Sequence, residues 1–146
     1  MPDFIPPDSA KESPDALIAW MKENDVEEVD IRFIDLKGVV HHFSMPVGIL
    51  DADTFTDGFG FDGSSVRGFQ QINESDLILM ADLDTAQVDP FFARKTVSFN
   101  CDVYDPITRE PYMRDPRGIT KRAEAYLKES GIADTAFFGP EAEFFM

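Results

Sequence analysis

Apolar residues recur along this chain in two rhythms, and the change from one to the other marks its elements. Leu17, Ile18 and Met21 fall at helical spacing. Ser13 and Pro14 before them supply a hydroxyl cap and a first-turn proline, and Asn24 is a plausible stop. From Val29 the period drops to two: Val29, Ile31 and Phe33 alternate with Asp30 and Arg32. The turn "DLKG" and the returning "VVHHFSM" complete a predicted hairpin. "LILMADL" reads as a short strand, and "TVSFNCDVY" as a longer one in which Val97, Phe99, Cys101 and Val103 alternate with polar residues. Asp115 and Pro116 then open a second helix that ends at Gly131, with Ile119, Ala123, Tyr126 and Leu127 as its expected buried stripe. The stretch from about Ala136 reads as a last strand, with Pro140 marking an edge or kink.

This order of helix, mostly antiparallel strands, then helix and strand predicts an α+β fold. Residues 1–12 read as a flexible lead-in, 13–110 as one domain, and 111–146 as a helix–strand unit too small to stand alone. Residues 57–76, rich in glycine, serine and charge, read as a long loop.

Composition narrows the function classes. Among 146 residues, 28 acids face 13 bases for a formal charge of −15. Such a surface repels nucleic-acid phosphates and anionic headgroups, which argues against nucleic-acid and membrane partners. The acidic, proline-bearing start has no signal-peptide pattern and no apolar run is long enough to span a bilayer, so a cytoplasmic location is expected. The single cysteine, Cys101, excludes an internal disulfide and reads as a buried hydrophobe. His41 and His42 are neighbours on a strand, point to opposite faces, and cannot chelate one metal together. Without an acidic or cysteine partner at ligand spacing, they read as ordinary strand histidines.

Two stretches carry candidate chemistry. In "FGFDGSSVRGFQQINESDL", Asp62 lies on a glycine-rich loop beside two serines, where a carboxylate can approach a ligand closely. The same residues also suit an ordinary turn. In "FFGPEAEFFM", Glu141 and Glu143 would project from one face of a strand, about 6.7 Å apart along the backbone. Two carboxylates so placed repel by roughly 2.5 kcal/mol at an effective dielectric of 20. Either they face water or a cation sits beside them. A hard ion such as Mg²⁺ or Mn²⁺ accepts oxygen ligands, but two carboxylates do not complete its shell.

Taken together, "FDGSS", the following "ESD" with Leu79, and the run "DPFFARKT", "RDPRGITKRAEAYL", "ADTAFFGPEAEF" resemble the glutamine synthetases, bacterial type I in particular. The resemblance covers nearly the whole chain after its first dozen residues. It implies a β-grasp N-terminal domain leading into a catalytic domain, and homo-oligomeric rings with active sites shared between subunits. It further implies an ATP-dependent ligase that joins glutamate and ammonium through a γ-glutamyl phosphate, with two divalent ions, Mg²⁺ or Mn²⁺, per site.

By that resemblance Asp62 binds ammonium and accepts its proton, Ser65 lines the same site, and Glu141 and Glu143 are metal ligands. The remaining ligands are expected outside these residues, so the chain reads as an N-terminal portion that is inactive alone. Two alternatives are a ligase for another amine and a stand-alone β-grasp binding module.

Overall fold

The computed structural model describes residues 5–71 and 75–145. Its elements are α1 (Asp8–Lys11), α2 (Pro14–Glu23), β1 (Glu28–Ile34), β2 (Val40–Pro46), α3 (Ala52–Asp57), β3 (Phe59–Asp62), β4 (Asp76–Ala81), β5 (Gln87–Asp89), β6 (Thr96–Tyr104) and α4 (Pro116–Ser130). The strands form one sheet in the order β2-β1-β6-β4-β3, with β5 added to β6. β1 runs parallel to β6 and every other pairing is antiparallel. This is the expected α+β architecture.

Local chemistry sets α2 as the sequence predicts. The Ser13 hydroxyl accepts from the Ala16 N–H at 3.2 Å, and the Asn24 side-chain amide donates to the Trp20 carbonyl at 2.9 Å. Leu17, Ile18 and Met21 are buried in the same hydrophobic cluster as Val29, Ile31, Leu77, Leu79, Val97, Phe99, Cys101 and Val103. β6 is the central strand, flanked over Thr96–Ser98 by both β1 and β5. Its polar residue Ser98 is buried there, and Asp102 is buried beneath Arg117 and Lys121 of α4, so of the polar positions expected to be exposed only Asn100 is.

The hairpin β1–β2 pairs Phe33 with His41 and Arg32 with His42. The histidines do face opposite ways, but both have acidic partners that sequence spacing did not reveal. His41 stacks on Phe33 and bonds Asp35 at 3.1 Å, whereas His42 bonds Asp30 at 2.8 Å. Asp30 is completely buried, and Arg32 and Ser44 donate to it at 2.7 and 2.9 Å. Cross-strand register brings these four residues together on one face.

Four further differences are physical. Asp8–Lys11 is a helix with Ala10 buried, within the stretch read as a lead-in; residues 1–4 lie outside the described residues. The expected long loop 57–76 contains β3 and a 3₁₀ turn at Gly63–Ser65, while 72–74 lie outside the described residues. A four-residue strand between glycines gives almost no period-two signal. Glu141 and Glu143 do not lie on a strand: 132–145 is irregular and exposed. A strand exists only through its ladder, and no described strand pairs with this segment. The stripe of α4 is likewise uncovered, with Ile119 45% and Tyr126 69% exposed.

No described helix is long and apolar enough to cross a membrane.

Candidate functional site

Asp62 closes β3, the short edge strand at one end of the sheet, and its backbone pairs with Asp76 of β4. The chain then turns at once into the 3₁₀ turn, and the Asp62 side chain caps it. Its Oδ1 accepts from the Ser64 N–H at 2.9 Å and the Ser64 hydroxyl at 2.6 Å, and its Oδ2 from the Ser65 hydroxyl at 3.4 Å. The carboxylate itself is exposed.

These donors stabilise the charged form. The Ser64 hydroxyl, followed by the Ser64 N–H, holds the Asp62 carboxyl below the usual carboxylate range. The group is thus an oriented anion facing solvent. Ser65 lies beside it, but Ser64 makes the shorter bonds. The sequence contains both serines; which one bonds depends on the 3₁₀ turn.

Two glycines permit this geometry. Gly58 has φ +84°, and a side chain there would place its first carbon 2.7 Å from Met80 Sδ. At Gly63 that carbon would lie 2.7 Å from Leu77 Cδ1 and 3.0 Å from the Ser75 carbonyl. The turn can press against β4 only because these positions lack a Cβ.

The loop beyond the turn is tied down from two directions. Within it, Phe69 N–H donates to Val66 O at 3.0 Å and Gln70 N–H to Gly63 O at 3.4 Å. From outside, the Tyr112 hydroxyl donates to Phe69 O at 2.7 Å, and Arg114 donates to the same oxygen at 2.6 Å. Sequence reasoning missed Tyr112 and Arg114, since a contact across more than forty residues leaves no local signal.

Glu141 and Glu143 lie on the exposed, irregular segment after α4. Their oxygen donors are the right type for a hard divalent ion. Among the described residues, however, no group of three or more His, Cys, Asp or Glu side chains could hold a metal ion. The described residues alone therefore do not complete a metal site. Cys101 is fully buried, and burial pushes its thiol up to about 12, so it is no nucleophile.

The mixed sheet with helices packed on it, ending in the Asp62 turn, defines an α+β domain of the β-grasp type. The family model "Glutamine synthetase, beta-Grasp domain" matches residues 25–106, more than half the chain, and the chain belongs to that family. It is 56% identical over 137 residues to the glutamine synthetase of Mycolicibacterium smegmatis, a match covering 94% of this chain and 29% of that protein. It is 58% identical over 130 residues to that of Rhizobium meliloti, covering 89% and 28%. Its fold is similar to the Plasmodium falciparum glutamine synthetase seen by cryo-electron microscopy, with a TM-score of 0.74, 24% identity, and 82% of this chain and 23% of that one covered. The chain thus spans less than a third of the length of these relatives.

Proposed function

We propose that this chain supplies the ammonium-side turn and two metal ligands of an ATP-dependent glutamate–ammonia ligase that makes glutamine through a γ-glutamyl phosphate. The carrying observation is the Asp62 turn: an exposed carboxylate kept ionised by serine donors, at the end of an edge strand of a glutamine synthetase β-grasp domain. The names of the relatives, at 56% and 58% identity, support the same reading.

In this proposal residues 13–110 are the β-grasp domain and 111–146 begin the catalytic domain. Asp62 is the counter-ion for ammonium. Its lowered pKa suits cation binding better than proton abstraction, because an anion so well solvated by hydroxyls is a weak base. Proton acceptance from ammonium then requires the site to close and exclude water as ammonia is transferred. Ser65 contributes its hydroxyl to the same site and helps aim the carboxylate.

Glu141 and Glu143 contribute oxygen donors for Mg²⁺ or Mn²⁺, and further donors must come from outside these residues. The activation chemistry belongs to ATP and the ions. What this chain adds is the placement of the anionic turn, whose open strand edge suits contact with a neighbouring subunit in a homo-oligomeric ring. The 146 residues alone are inactive in this reading, and the working location is cytoplasmic.

The test is glutamine formation by the full-length protein containing this segment, with glutamate, ammonium, ATP and Mg²⁺. Turnover that needs all four supports the reading. Turnover with another amine, and none with ammonium, overturns the substrate assignment.

A further inference from the structure

The stretch Tyr112–Arg117 joins the β-grasp sheet to α4, and its side chains bond in both directions. Toward the sheet edge, Tyr112 and Arg114 donate to the Phe69 carbonyl, and Arg114 also donates to Gly68 O at 2.9 Å. Phe69 is buried, packed at 5.4 Å from the Tyr112 ring and 6.2 Å from Phe33. From there, backbone bonds lead through Gln70 to Gly63, the neighbour of Asp62.

Toward α4, the buried Asp115 carboxylate accepts from Arg117 N–H, Gly118 N–H and, across the chain, Val103 N–H of β6. Arg117 spans two carboxylates, donating to Asp102 at 3.0 Å and Asp82 at 2.5 Å. Lys121 of α4 adds a second cation on Asp102.

We propose that Tyr112–Arg117 is a brace, with Arg114 and Arg117 as positioning residues that fix the Asp62 turn relative to α4 and the segment after it. α4 has few other holds, because its apolar stripe is exposed and its first turn is attached through polar bonds. A planar guanidinium suits each end: Arg114 reaches two carbonyls and Arg117 two carboxylates, which a lysine point charge reproduces only partly. The inference rests on the proposed function only for what the two ends carry. If Asp62 and the Glu141–Glu143 segment serve active sites on different sides of one subunit, the brace sets their separation.

The test uses spin labels on exposed positions, Arg67→Cys in the loop and Glu129→Cys on α4, read by pulsed electron–electron resonance; the buried Cys101 stays unlabelled. A control pair at Lys22→Cys and Asp53→Cys reports α2 against α3. The native chain is expected to give one narrow 67–129 distance. Arg114→Met and Arg117→Met broaden or shift it and leave the 22–53 distance unchanged, and the lysine variants fall between. A broad native distance, unchanged distances in both methionine variants, or equal broadening of both pairs overturns the brace. No substrate enters this readout, so failure of the ligase reading would appear in glutamine formation and leave the distances intact.

Discussion

One oxygen of Asp115, Oδ2, accepts the N–H of Val103 on β6 and the N–H of Gly118 on α4, each at 3.1 Å. A single buried carboxylate therefore joins the sheet to the helix that follows it. Burial raises its pKa despite the three backbone donors, so the group sits where a charge is costly and its partners are needed. Asp115→Ala leaves those donors without an acceptor and is expected to destabilise the chain by about 1–3 kcal/mol. The urea midpoint checks it, and Asp115→Asn, which keeps an acceptor oxygen, should recover part of the loss.

Gly63→Ala places a methyl against Leu77 and the Ser75 carbonyl. The backbone oxygen cannot rotate away as a side chain could, so the turn must shift. The expected cost is about 1–3 kcal/mol, read as a lowered Tm. Gly139→Ala, at a position with open space around it, should change Tm little.

Acid sensitivity follows from the paired aspartates. Asp35 is held below its ordinary pKa first by its bond to His41, and Asp89 first by its bond to Arg32. Between the lowered folded values and the unfolded value of about 3.9, the unfolded chain binds more protons, so stability falls as pH drops through that window. Urea midpoints measured from about pH 5 downward should show this loss. Asp35→Asn should flatten the acid limb while lowering stability at neutral pH.

Cys101 should resist thiol reagents in the folded chain and react only as fast as the chain opens. With its thiol pushed up to about 12 by burial, little thiolate is present at neutral pH. A time course of labelling with and without urea checks this, and rapid labelling of folded protein would contradict the packing of β6.

What the sequence revealed, and what it hid, divides by the range of the interaction. The caps at Ser13 and Asp115 and the strand β6 are local patterns, and they were readable. Asp62 stood out only through the family resemblance, because a carboxylate among glycines and serines suits an ordinary turn equally well. The partners of His41 and His42 were hidden because cross-strand register brings Asp30 and Asp35 to them. Tyr112 and Arg114 were hidden because their targets are backbone carbonyls, which every residue possesses. The strand expected at Glu141 and Glu143 failed because alternation gives a strand its faces but not its partner.

The most direct measurement of the central claim is the ammonium dependence of glutamine formation by full-length protein carrying Asp62→Asn. Asparagine keeps the shape of the turn and removes the charge. An ammonium-binding role for Asp62 predicts a fall of about 10²-fold or more in kcat/KM for ammonium, with KM for ATP little changed. An unaltered ammonium dependence in this variant would contradict it.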